Sequence, residues 1–342
     1  MCLGLQQIHI EMNYRQFGNT DMMVSEIGFG TWAIGGAAFV GNLPIGWGPS
    51  DDAVSIAAIH KAINAGINFF DTADFYGLGH SETLLGKTIG NNREILIASK
   101  VGQKAGDDGK VQLDYTKAYM LKACEDSLRR LKRDHIDFHH LHVARMHHLE
   151  NGECIEAMQQ LQKEGKIRYW GISLITFDPF PEADFFFDHH LGNGFQLVFN
   201  IINQKSLPIL SRAARAGYGV IARMPLQFGL LSGNIKPETV FGSDDHRSYR
   251  ITPEIAQRTL DVLQKEVWHL CDKYNTTESG LALSYILSYP EISTVIPGIR
   301  KPEHVDLNTK HLAKLAEADK MHLQNLYQSD WMPIMDLMQK QG

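Results

Sequence analysis

The chain has 342 residues, of which 33 are Lys or Arg and 39 are Asp or Glu, giving a net charge of −6. With 44% hydrophobic residues it can bury a large core without disulfide or metal staples, and one α/β barrel accounts for this length as well as two smaller domains do. The acidic balance argues against nucleic acid or an anionic membrane surface as partner, because both reward a basic patch.

From the N-terminus, MCLGLQQIHIE (1–11) has no basic start, and Gln6, Gln7 and His9 break its apolar run. It reads as an extension ahead of a domain covering 12–342 rather than as a signal peptide. Residues 14–25, with an Asn-Thr-Asp turn, predict a small hairpin. Eight short apolar runs then follow: VSEIGFG (24–30), INFFDTA (67–73), EILIASK (94–100), IDFHHLH (136–142), IRYWGIS (167–173), FQLVFN (195–200), GVIARMP (219–225) and TVIPG (294–298). Runs of this kind suit strands of a parallel sheet buried on both faces. Helical spacing fills the intervals, as at 53–66, 116–131 and 155–165. The last interval holds a polar loop at about 234–252 and two helices, and a C-terminal helix and tail begin at about 313. Eight such units in sequence predict a single (β/α)8 barrel, with a short N-terminal hairpin and a C-terminal helix or tail.

Cys2, Cys124, Cys154 and Cys271 lie far apart with no CxxC pair, which reads as reduced thiols in a cytoplasm. No stretch approaches the ~18 uninterrupted apolar residues of a membrane span.

Three motifs imitate other chemistries. GFGTWAIGG (28–36) resembles a dinucleotide fingerprint, but Ala33 stands where its third glycine belongs. LLGKT (84–88) resembles the end of a phosphate loop, yet Ser81 replaces the glycine needed five residues before Gly86. His140 and His142 share a strand face and could reach one metal. However, Ser173, Asn200 and Gly298 end the strands that would supply further ligands, so no metal is expected.

The βα ends of a barrel carry its chemistry. Those positions are Gly30, Asp71, Lys100, His142, Ser173, Gln196, Arg223 and Gly298, with Tyr76 five residues beyond Asp71 in a glycine-containing loop. Asp71 and Lys100 end neighbouring strands and can pair. An ammonium beside Tyr76 is expected to lower the phenol pKa. His142 can donate to an oxygen held beside Tyr76. The set describes a proton-donating site for a carbonyl, without nucleophile or metal.

Asp71-Thr72-Ala73-Asp74-Phe75-Tyr76-Gly77, followed by His80-Ser81-Glu82, resembles the aldo-keto reductase superfamily. So do Ala98-Ser99-Lys100, the run from Ile136-Asp137 to Leu141-His142, the run from Gly165 to Ser173, and Ile296-Pro297-Gly298 through Asn308. The resemblance implies a (β/α)8 barrel holding NADP(H), with a catalytic tetrad of Asp71, Tyr76, Lys100 and His142. It implies an NADPH-dependent reductase that converts an aldehyde or ketone, sugar-derived carbonyls included, to an alcohol. It further implies that Ser173 and Gln196 hold the carboxamide while Arg223 stacks on the nicotinamide. Met224, Pro225, Leu226 and Gly229 would follow the pyrophosphate, and Arg300, His304 and Asn308 the adenosine phosphate and adenine. Gly30, Thr31, Trp32, Asp71 and Gly298 complete the expected cofactor floor. Trp32, Phe75, Tyr76 and His142 are expected to line the substrate pocket, with Trp47, Met146, Phe228 and Trp331 as further candidates.

Two positions depart from the pattern: Leu174 stands where an Asn usually follows the carboxamide-binding Ser, and His304 where many members carry Arg. An alternative function is also implied, because the superfamily includes potassium-channel β-subunits that bind NADP(H) and regulate a partner.

Overall fold

The computed structural model describes residues 12–341; the expected extension 1–11 lies outside the described residues. Eight parallel strands form its centre: β1 (Phe29–Gly30), β2 (Phe69–Asp71), β3 (Leu96–Val101), β4 (Ile136–His142), β5 (Ile167–Ser173), β6 (Gly194–Val198), β7 (Gly219–Arg223) and β8 (Thr294–Ile296). They pair in chain order, and parallel bridges Ile27–Val295 and Gly30–Gly298 join the last strand to the first. The result is the expected (β/α)8 barrel.

The helices between strands are α1 (Asp52–Asn64), α2 (His80–Ile89), α3 (Lys117–Leu131), α4 (Glu153–Lys163), α5 (Phe180–Asp188), α6 (Leu207–Ala216) and α7 (Glu278–Leu287), with α8 (Pro302–Thr309) after β8. A further helical stretch, Pro253–Val262 and His269–Tyr274, precedes α7, so the long interval holds its two expected helices. Helices Glu317–Leu326 and Met332–Lys340 end the chain. No helix of the described residues is long and apolar enough to cross a membrane.

A hairpin of Tyr14–Gln16 and Met23–Ser25 closes the barrel floor. Phe17 at its turn enters the barrel and packs edge-on against Phe138, with ring centroids 4.8 Å apart. A Cβ at Gly219 would collide with the Phe17 ring, so β7 admits the plug only through glycine. This hairpin corrects the expected strand at 24–30. Residues 23–25 pair antiparallel with 14–16, and only Phe29 and Gly30 reach β2.

Strand register gathers the rim into one layer. Gly30 pairs with Asp71, His142 with Ser173, and Ser173 with Gln196. Side chains four strands apart in the ring therefore converge at the mouth.

Candidate active site

Lys100, on β3, is fully buried in the barrel, and its ammonium has three partners. It donates to Asp71 Oδ2 at 2.7 Å, to the Thr72 carbonyl at 2.7 Å and to the Tyr76 hydroxyl at 3.0 Å. Gln196 Nε2 donates to the other Asp71 oxygen at 2.6 Å, and Ser173 Oγ donates to Gln196 Oε1 at 3.4 Å. Both oxygens of Asp71 are thus satisfied, as a buried carboxylate requires. The His142 ring lies 6.0 Å from the Tyr76 ring on one side, and Trp32 meets Tyr76 edge-on at 4.8 Å on the other.

Tyr76 opens a tight turn, Tyr76–Gly79, in which Gly77 has φ of 60°. A Cβ on Gly35 would come within 2.9 Å of the Gly77 nitrogen, so the loops after β1 and β2 meet backbone to backbone. Thr31 fastens the same region by donating both its N–H and its hydroxyl to the Asp71 carbonyl. Glu82, from the His80-Ser81-Glu82 motif, is fully buried and accepts from Ser99 Oγ and Arg130 Nε, which locks α2 onto β3 and α3.

Burial favours the neutral form of Lys100, but the Asp71 carboxylate and the Tyr76 oxygen outweigh it and hold the ammonium charged. The expectation of a lowered Tyr76 pKa is corrected. Burial raises it and the Asp71 charge adds to that, so Lys100 only partly offsets the rise. The phenol keeps its proton at neutral pH. His142 is pushed well below the usual histidine range by burial, with the charges of Lys100 and Arg223 acting in the same direction. Its neutral ring can donate one hydrogen bond to an oxygen. A protonated phenol, a fixed ammonium behind it and a neutral imidazole at its side can together deliver a proton to a carbonyl oxygen.

The other expected positions end or follow β5, β7 and β8. Arg223 donates from Nη2 to the Leu174 carbonyl at 3.0 Å and to Thr176 Oγ1 at 3.2 Å, while its buried Nε has no partner. Met224, Gln227, Phe228 and Gly229 have positive φ, so the loop after β7 curls tightly. Asn200 fastens that loop by donating to the Met224 carbonyl and to Gln227 Oε1. Arg300 Nη1 donates to the Trp47 carbonyl at 3.1 Å, and the Arg300 N–H donates to His304 Nδ1 at 3.2 Å. Asn308 is buried on α8 with its Nδ2 unpartnered.

Two pocket candidates lie elsewhere. Phe75 is buried with Val40 and Ile45 beneath the hairpin Phe39–Val40 and Leu43–Pro44. Trp331 is fully buried in the main core, and Met338, one helix farther on, reaches the mouth instead. Sequence reasoning also missed a clasp. Trp47 and Asp245 form an antiparallel bridge, and the His246 ring sits between Trp47, Trp32 and Phe228. Val143, directly after His142, has φ of 60°, a strained value for a β-branched residue. No group of three or more His, Cys, Asp or Glu among the described residues is placed to hold a metal ion.

The model of the Aldo/keto reductase family matches residues 26–327. The chain is 28% identical over 325 residues to the oxidoreductase YqkF of Bacillus subtilis, covering 93% of this chain and 98% of that one. It is 28% identical over 327 residues to the NADH-specific methylglyoxal reductase of Escherichia coli, covering 88% and 94% respectively. Among solved structures, the holo form of an aldo-keto reductase from Bacillus halodurans is similar at a TM-score of 0.75 and 28% identity, over 92% of this chain and 96% of that chain.

Proposed function

The chain belongs to the aldo/keto reductase family, and from that premise we propose that it reduces an aldehyde or ketone to an alcohol with NADPH, using Tyr76 as proton donor. The observation that carries this reading is the Tyr76 hydroxyl held 3.0 Å from a Lys100 ammonium that Asp71 pairs at 2.7 Å. The residues present fit a nicotinamide cofactor. The buried amide nitrogen of Asn308 and the buried Nε of Arg223 have no partner, and the curled loop after β7 borders the same mouth.

When bound, NADP(H) supplies the hydride that the carbonyl carbon takes up. Ser173 and Gln196 would hold the carboxamide, Arg223 would lie against the ring, and Met224 to Leu226 with Gly229 would follow the pyrophosphate. The protein's own part is acid catalysis and orientation. His142 donates a hydrogen bond to the carbonyl oxygen and fixes it over Tyr76. The Tyr76 hydroxyl then releases its proton to that oxygen, which leaves an alcohol, and the adjacent Lys100 ammonium stabilises the phenolate as it forms. Trp32, edge-on to Tyr76, holds the phenol ring in place.

NADPH rather than NADH is proposed because Arg300 and Lys301 supply positive charge where the adenosine phosphate is expected. Of the acids on α8, Asp306 is paired with Lys61 and Lys310, while Glu303 is exposed, where water and salt screen its charge. Cys124, Cys154 and Cys271 are free thiols, in keeping with a reducing cytoplasm. The test is loss of NADPH absorbance with a panel of aldehydes, ketones and sugars. No oxidation of NADPH with any of them, or equal affinity for NADH, would remove the corresponding half of the proposal.

A further inference from the structure

We propose that the carbonyl substrate carries an oxyanion, a carboxylate or a phosphate ester, and that Arg250 binds it in a cavity beside the tetrad. This rests on the reductase reading above and narrows its substrate class.

The cavity, of about 360 Å³, opens between the ends of β4 and β5, the loop after β7 and the last helix. That volume lies at the lower end of small-molecule sites, ~300–1,000 Å³. Val143, Ile175, Phe177, Phe228, Ile251 and Met338 make its walls largely apolar. Val143 follows His142 directly in the chain, so the cavity wall starts one residue beyond the expected site of the carbonyl.

Arg250 stands on this wall without a carboxylate. Its guanidinium lies 5.7 Å from the Phe228 ring centroid and 5.2 Å from that of Tyr249, so aromatic faces position it. Its Nε is buried with no partner. Among the described residues no ion pair includes it, whereas its neighbour Arg247 is paired with Asp245 at 2.5 Å. Arg223 also has a buried, unpartnered Nε, though its Nη2 is held by the Leu174 carbonyl and Thr176 Oγ1. Burial lowers Arg223 to about 10, the Tyr76 oxygen and the Asp71 carboxylate oppose the fall, and the positive charge of Arg250 adds to it. Arg250 is half-buried with no acid paired to it among the described residues, so an anion in the cavity would meet an uncompensated guanidinium. The one acid on the wall, Asp178, is exposed at the outer edge beside exposed Arg145.

The anion is assigned to the substrate because of where the cavity faces. The positions expected to hold the adenosine phosphate, Arg300 and Asn308, follow β8, which is joined to β1 and β7. Those expected along the pyrophosphate, Met224 to Leu226 and Gly229, lie on the neighbouring loop but do not line the cavity, which that loop meets through Gln227, Phe228 and Leu230. The cavity faces the ends of β4 and β5, across the ring. An aldehyde with an apolar body and a distal anion would place its carbonyl at Tyr76 and its charge at Arg250.

The test compares paired substrates with NADPH: para-carboxybenzaldehyde against para-nitrobenzaldehyde, and glycolaldehyde phosphate against glycolaldehyde. The charged member of one pair should have a KM at least ~10-fold lower, the worth of one charge-assisted hydrogen bond, and the pair that responds identifies the anion. Arg250→Gln should abolish that preference while neutral aldehydes and NADPH affinity stay near wild type. Arg250→Lys should keep part of it. Calorimetric titration of terephthalate or inorganic phosphate reads the same site without turnover, and R250Q should lose that binding. Equal KM values within both pairs, equal losses for charged and neutral aldehydes, or weakened NADPH in R250Q would overturn the assignment. Anion binding without any NADPH oxidation would support the site and overturn the reductase reading instead.

Discussion

Lys100 donates to the Tyr76 hydroxyl at 3.0 Å while its ammonium also lies 4.6 Å from the centroid of the same ring. The charge therefore sits against both the oxygen and the π face, where it can stabilise a phenolate once the proton has left. At rest burial prevails and the proton stays. Tyr76→Phe keeps the ring against Trp32 and His142 but removes that proton. Carbonyl reduction should fall ~10²-fold or more, the usual worth of a general acid, with NADPH binding little changed. Near-normal turnover of the variant would mean that another group supplies the proton.

Lys100→Met probes the buried pair. The side chains of Lys100 and Asp71 are 1% and 2% exposed, so the variant strands a carboxylate that water cannot reach. Breaking such a pair costs ~3–5 kcal/mol, and activity should fall as well. Asp71 already has its pKa raised by burial, with Lys100 opposing the rise. Without Lys100 the folded state would bind a proton at Asp71 more readily than the unfolded chain does. The variant's deficit should therefore narrow as pH falls and widen as it rises. Urea unfolding of both proteins at several pH values tests this, and an unchanged midpoint with full activity would refute the pairing.

Stability should also drop with acid through histidine. Burial holds His139 at about 4, against an unfolded value of 6.5. Between those values the unfolded chain binds more protons, so the contribution is complete above pH 6.5 and is lost as pH falls toward 4. At 1.36 kcal/mol per unit this amounts to roughly 3 kcal/mol. His246, also at about 4 from burial, should add a similar slope. His139→Asn should flatten the pH dependence of the urea midpoint. An identical slope in the variant would show that His139 is not a source of the acid sensitivity.

The barrel was legible because its strands are buried on both faces and read as uninterrupted apolar runs. β1 was the exception, since Met23–Ser25 belongs to the floor hairpin and only the later part of the run, from about Ile27 to Gly30, meets the barrel strands. That Asp71, Lys100 and His142 would be neighbours was legible because strand ends in a barrel form one rim. The direction of the Tyr76 shift was not, because it depends on how completely the folded chain excludes water from the hydroxyl. Arg250 was equally hidden. It ends a four-residue helix, Arg247–Arg250, in a polar interval with no periodicity, and only the fold shows that Phe228 rather than an acid packs against it. Trp331 looked like a pocket residue by type alone, and its core position follows from the docking of the last helices.

Cofactor choice depends on Arg300. NADPH differs from NADH by a phosphate of roughly −1.5 to −2 charges, by analogy with a phosphorylated side chain. Arg300 is half-buried and donates from Nη1 to the Trp47 carbonyl, which orients its guanidinium without neutralising it. Charge-assisted bonds to a phosphate are each worth ~1.5–3 kcal/mol, and partial exposure favours the lower figure. NADPH should therefore be preferred by at least ~10-fold. Arg300→Ala should weaken NADPH by a similar factor and spare NADH. The Trp47 bond sets up the opposing outcome, because Trp47 lies over Gly298, with its ring 3.0 Å from where a Cβ would stand. If Arg300 mainly fastens that loop, the variant will lose both cofactors equally in a fluorescence titration. Selective loss of NADPH is the expected result, and equal loss would show that Arg300 shapes the loop instead of reading the phosphate.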